Sequence, residues 1–144
     1  MADTENIFSS AISKETHGRG YVYSMQYHIV WCTKYRRSVL VGDVETDIKS
    51  YIAEICNRFS VRIIAMETMP DHIHMLIDCS PQVFVPDLVK VLKGASARKL
   101  YLTHPGIKKK LWGGHIWNPS YFVCTISDRT REMITNYING QKFE

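Results

Sequence analysis

Apolar and polar positions alternate along the chain with two different periods, and the switches between them outline seven elements. From Tyr21 to Thr33 the residues are aromatic or β-branched, and Tyr21, Tyr23, Met25, Tyr27, Ile29 and Trp31 fall on one side, as in a long half-buried strand. After Gly42-Asp43 the period lengthens. Val44, Ile48, Tyr51, Ile52, Ile55 and Phe59 recur at three and four, which places an apolar stripe along one side of a helix. Val61 to Met69 and His72 to Cys79 return to strand-like runs. Pro70-Asp71 between them is a turn pair, because proline presets φ and aspartate tolerates the bend, so the two runs predict a hairpin. Pro86 suits a first helical turn, and the helix it opens extends to about Thr103, where His104-Pro105-Gly106 stops it. A strand around Tyr121 to Ile126 and a last helix capped by Ser127 or Asp128 complete the series. The order β-α-β-β-α-β-α predicts an α+β fold: a ferredoxin-like (RRM-like) antiparallel sheet with helices on one face, plus an extra C-terminal helix.

Residues 1 to 19 carry no such pattern and read as a flexible N-terminal arm, leaving residues 20 to 144 as one domain. A chain of 144 residues has room for a single core. No apolar run reaches the length of a bilayer span and no signal segment opens the chain, so the expectation is a cytoplasmic, nucleoid-associated protein without a membrane partner. The four cysteines, Cys32, Cys56, Cys79 and Cys124, contain no Cys-x-x-Cys pair and lie among apolar neighbours, which predicts reduced core thiols.

Charge changes the picture through its distribution. The net charge is only +4, yet Leu88 to Ser127 contains no Asp or Glu and seven cations: Lys90, Lys93, Arg98, Lys99, Lys108, Lys109 and Lys110. A one-signed segment attracts polyanions. Trp112, and Tyr35 beside Lys34 and Arg36, add aromatic rings able to stack on unpaired bases. Lys90, Lys93 and Arg98 lie within one arc of the second helix and are candidate contacts to a phosphate backbone, with Lys34, Arg36 and Trp112 as further candidates. The same lysines also read as a solvated helix face.

His72-Ile73-His74 supplies the candidate chemistry. Residues two apart on a strand share a face, so the two imidazoles point together while Ile73, Met75, Ile77 and Cys79 point the other way. Two neutral imidazoles side by side suit a metal ion, and they also suit a plain hydrogen-bonded pair. In the last helix Tyr137 and Gln141 are four apart and face together, beside the stripe of Ile134 and Ile138 that would rest on the sheet. Asn139-Gly140 between them is a helix-ending signal. His28, His104 and His115 remain open as supporting, DNA-contacting, buried or exposed groups.

Four blocks stand in this order: Met69-Pro70-Asp71-His72-Ile73-His74, Lys93-Gly94-Ala95-Ser96-Ala97-Arg98, Leu111 through Tyr121 (Leu-Trp-Gly-Gly-His-Ile-Trp-Asn-Pro-Ser-Tyr), and Tyr137-Ile138-Asn139-Gly140-Gln141. Together they resemble the small single-tyrosine HUH transposases of bacterial insertion sequences, over about residues 18 to 141. The resemblance implies a ferredoxin-like homodimer with active sites shared between subunits, acting on single-stranded DNA with hairpin ends and using no nucleotide cofactor. It implies Mg²⁺ or Mn²⁺ held by His72, His74 and Gln141, with Tyr137 as the nucleophile that forms a 5′-phosphotyrosine. Other readings of the same chain are a noncatalytic single-stranded DNA or RNA-binding module, a metal-dependent hydrolase with Asp78 as an added ligand, and a domesticated nuclease that processes repeats.

Overall fold

The computed structural model of the chain describes residues 16–18, 21–23, 25–111, 114–126 and 135–139. Two short strands, β1 (Thr16–Gly18) and β2 (Tyr21–Tyr23), pair antiparallel with each other, Thr16 opposite Tyr23. The main sheet holds β3 (Gln26–Cys32), β4 (Arg62–Met69), β5 (His72–Asp78) and β6 (Phe122–Thr125) in the order β4-β5-β3-β6, every neighbouring pair antiparallel. With helices after its first and third strands, this is the ferredoxin-like arrangement read from the sequence. The single strand expected from Tyr21 to Thr33 is instead two strands in two sheets. Its first part pairs with β1, inside the stretch read as an arm, whereas β3 lies between β5 and β6. Alternation marks which residues share a face but carries no signal for a change of partner.

The helix α1 (Asp43–Arg58) follows Gly42, whose φ of +58° is a backbone angle that costs glycine little. Asp43 and Glu45 in its first turn and Arg58 in its last complement the helix dipole. Ile48, Ile52 and Ile55 of the predicted stripe are buried and Cys56 joins them, whereas Phe59, expected in the stripe, lies at the end of the helix and is exposed. The helix α2 (Val85–Thr103) has Pro86 in its first turn and buries Val85, Leu88, Val89, Leu92, Ala95, Ser96 and Leu100. Both helices cover one face of the sheet, where Ile29, Trp31, Ile73, Met75, Ile77 and Cys79 complete the main core. Cys56 and Cys79 are free thiols in that core, and burial pushes each up to about 12. The basic stretch after α2, expected as a loop, is a 3₁₀ turn over Pro105–Lys110.

The other face carries a smaller apolar cluster of Ile64, Ala65, Leu76 and Ile138. A register shift between Ile63 and Ala65 is a bulge in β4, and it explains why two successive residues, Ile64 and Ala65, enter the same cluster. Ile138 belongs to the helical residues 135–139, here α3, and is fully buried. The sheet therefore lies between two layers: α1 and α2 on one side, α3 on the other.

Candidate active site

The site grows from the alternation of β5. Ile73, Met75 and Ile77 are anchored in the main core, so His72 and His74 are forced onto the opposite face. Their rings lie 4.6 Å apart, centroid to centroid, nearly perpendicular. The α3 helix is fixed to the same face by Ile138, and the preceding residue, Tyr137, reaches the histidines. Its ring centroid is 5.8 Å from that of His74, edge on. Tyr137 is 54% exposed, so its ring contacts the histidines while remaining open to solvent.

Each histidine is gripped at Nδ1. His72 Nδ1 is 2.6 Å from Asp71 Oδ1, and Asp71 Oδ2 accepts a hydrogen bond of 2.9 Å from Arg36 Nε. Burial pushes the Asp71 carboxyl up, but the hydrogen bonds and charges of His72 and Arg36 outweigh it and hold the group below its ordinary value. His74 Nδ1 is 3.4 Å from His28 Nε2. Those two rings are nearly parallel, at 13°, with centroids 5.7 Å apart. The centroid spacing exceeds the N···N distance by about one ring width, so the rings meet edge to edge rather than face to face. His28 stands opposite Leu76 across the β3–β5 pairing, hence diagonal to His74 on the same face, within reach for imidazoles. Phe122 of β6 closes the far side of His28 at 5.9 Å.

Electrostatically, His74 and His28 are held toward the neutral form. Burial first, then the charges of His72, His28 and Arg36, depress His74 to about 4, and burial lowers His28 as well. A neutral imidazole whose Nδ1–H is donated keeps its lone pair on Nε2. With Nδ1 of both rings engaged by Asp71 and His28, Nε2 of each is the nitrogen whose lone pair can bind a cation. This donor set fits a divalent metal as two adjacent positions. Among the described residues no cluster of three or more His, Cys, Asp or Glu could hold a metal ion. Gln141, expected in that role, lies outside the described residues, as does Trp112. Asp78, the added ligand of the hydrolase reading, is buried and bound to Arg62 at 2.7 Å.

The expected DNA contacts separate into three groups. Lys90 and Arg98 line an open groove of about 530 Å³ on α2 with Asp87, Val91, Gly94 and Ala95. Lys93 is set apart: half-buried, it donates to the carbonyls of Asn118 at 2.6 Å and Ser120 at 3.4 Å, tying α2 to the segment before β6. Burial lowers its pKa. Lys34 and Arg36 stand at the end of β3, beside the histidines. The sequence reading missed the second role of Asp71, assigned only to the turn. Its position directly before His72 was the available signal. His28, left open, had none, because its approach to His74 depends on the β3–β5 register.

Comparison with known proteins follows the same lines. A family model described as "Transposase IS200 like" matches residues 21–141. The chain is 50% identical over 124 residues to the ISDra2 transposase TnpA of Deinococcus radiodurans, covering 86% of this chain and 89% of that one. It is 34% identical over 119 residues to the transposase for insertion sequence element IS200 of Salmonella typhimurium, covering 83% and 78%. Among solved structures, a transposase from D. radiodurans R1 superposes with a TM-score of 0.74 at 46% identity, over 88% of this chain and 97% of that one. The REP-associated tyrosine transposase bound to a REP hairpin gives 0.63 at 17% identity, over 90% and 74%, and so shares the fold.

Proposed function

The chain belongs to the IS200-like transposase family, and from that premise we propose that it cuts and rejoins single-stranded DNA with Tyr137 as the nucleophile. The observation that carries this reading is the convergence, within one chain, of the Tyr137 ring with the paired imidazoles of His72 and His74. In the step proposed, Tyr137 Oη attacks the scissile phosphorus. A new O–P bond forms, the bond from phosphorus to the 3′-oxygen breaks, and the proton lost by the phenol is balanced by the one gained at the 3′-OH. One phosphodiester replaces another of similar energy, so a second 3′-OH can reverse the reaction and join strands without a nucleotide cofactor.

His72 and His74, with Gln141 as the expected third protein ligand, would hold Mg²⁺ or Mn²⁺, which when bound supplies Lewis acidity to a phosphate oxygen. Asp71 and His28 fix the two rings; Arg36 adds positive charge near the phosphate. The α3 helix, seated through Ile138, holds Tyr137 at the site. Lys90 and Arg98 would receive the backbone of a folded DNA end. A homodimer is supported by the position of β6 at the sheet edge with Phe122 and Val123 exposed, since such an edge is open to pairing. No helix among the described residues is long and apolar enough to cross a membrane.

The test is to incubate the protein with labelled single-stranded element ends and Mn²⁺, then denature. The expected product is a covalent protein–DNA adduct that is absent in Tyr137→Phe. An adduct that persists in Tyr137→Phe removes the nucleophile; cleavage without an adduct favours a hydrolase; binding alone favours a noncatalytic module.

A further inference from the structure

The loop leaving β3 has backbone angles that its residues do not favour. Tyr35 has φ 59° and ψ 22°, and Arg36 has φ 53°, so two successive side chains occupy the left-handed region where glycine is at home. Such a conformation persists only where the surroundings enforce it. Here they do. Lys34 N–H donates to the Ile116 carbonyl at 2.8 Å, Arg36 N–H to that of Thr33 at 3.0 Å, and Thr33 N–H to that of Asp71 at 2.9 Å. Thr33 Oγ1 donates to the Arg37 carbonyl at 2.8 Å.

A glycine at position 35 would relieve the strain, whereas the side chain that stands there is 65% exposed. The ring is held outward, with Lys34 Nζ 5.5 Å from its centroid. Its neighbour Arg36 is tied to the chemistry. Arg36 bonds Asp71, Asp71 bonds His72, and Cys32 is the cross-strand partner of His72, so the loop that carries the ring adjoins the proposed metal ligands. An exposed aromatic beside two cations is the surface on which an unpaired base stacks while its phosphates meet positive charge.

We propose that Tyr35 is a stacking platform for one unpaired nucleobase of the DNA strand entering the site, with Lys34 and Arg36 meeting the phosphates beside it. This rests on the single-stranded substrate argued above and adds a position where the strand is held. The strained turn fixes the ring before the strand arrives, so little ordering is left to binding.

The experiment measures binding of an oligothymidylate of about twenty nucleotides, and of a duplex of the same length, in EDTA. Tyr35→Ala should weaken single-strand binding about tenfold and leave duplex binding unchanged, because paired bases cannot reach the ring. Tyr35→Trp should bind like the parent. Tyr35→Gly should bind as weakly as alanine, and Tyr35→Phe, which keeps the ring, should bind like the parent, which separates lost stacking from other contacts of the side chain. Equal losses on single strand and duplex, no loss at all, or full binding by Tyr35→Leu would overturn the platform. Adduct formation with Mn²⁺ is read separately, so failure of the tyrosine chemistry and failure of the platform are distinct results.

Discussion

At the scale of residues, the candidate site depends on how firmly two imidazoles are held. Replacing an acceptor that orients a metal-binding histidine lowers metal affinity about 10- to 100-fold. His28→Phe, which removes the acceptor on His74 Nδ1, should therefore weaken Mn²⁺ binding by that order, whereas His28→Gln, whose carbonyl can accept, should recover most of it. Electron paramagnetic resonance titration of free Mn²⁺ measures both, and equal affinities in the two variants would deny His28 this role. The same buried ring makes the metal-free protein acid-sensitive. His74 is 7% exposed and depressed from 6.5 to about 4, so between those values the unfolded chain binds a proton that the folded chain refuses. Its contribution is complete above about pH 6.5 and is lost as pH falls toward 4, with a total on the order of 3 kcal/mol. Urea unfolding at about pH 7 and about pH 4.5 should show that loss, and His74→Phe, with nothing to protonate, should reduce it.

At the scale of elements, α3 is attached through a small cluster and α2 through a large one, so the two should respond differently to damage. Ile138→Ala removes a fully buried side chain worth about 2–5 kcal/mol of local packing. The expected result is a sharp fall in adduct yield with only a partial fall in metal affinity, since His72 and His74 are fixed by β5 and only the expected ligand Gln141 follows α3. A loss of metal affinity as large as that of His74→Ala would contradict that independence. Lys93→Met should cost about 1.5–3 kcal/mol in urea unfolding, as the charged hydrogen bonds to Asn118 and Ser120 disappear. This element scale is also where the sequence was most legible. The stripe Ile48, Ile52, Ile55 and the alternation Ile73, Met75, Ile77 announce their elements because each is anchored in one apolar core, and the Pro70-Asp71 turn announces the hairpin. The facing of His72 and His74 follows from the same alternation. Partnering was not legible. The break between β2 and β3, the engagement of Lys93 by distant carbonyls and the contact between His28 and His74 all depend on segments brought together only by folding. The strain at Tyr35 and Arg36 was hidden for a related reason: neither residue type signals a left-handed turn, and hydrogen bonds donated by Lys34 and Thr33 to the carbonyls of Ile116 and Asp71 impose it.

At the scale of the whole molecule, charge and shape divide the labour. Lys90 and Arg98 line a groove on the helical layer, whereas Lys34 and Arg36 stand beside the histidines, so a strand engaging both sets would have to wrap around the domain. Removing one phosphate-binding cation should reduce the salt dependence of single-strand binding, by about 0.7 in the slope of log affinity against log salt. Lys90→Ala and Arg98→Ala should each show that change, and Lys93→Met, whose amine is already committed to carbonyls, should not. The sheet itself divides the two tasks by its faces: odd-numbered positions of β5 build the interior and even-numbered ones carry the imidazoles. Removing or adding one codon within that strand would exchange the two sets, burying histidines and turning isoleucines to water. Such length variants would be cleared as misfolded chains before any defect in chemistry was exposed to selection. The folding requirement thus proofreads the spacing of the reactive groups.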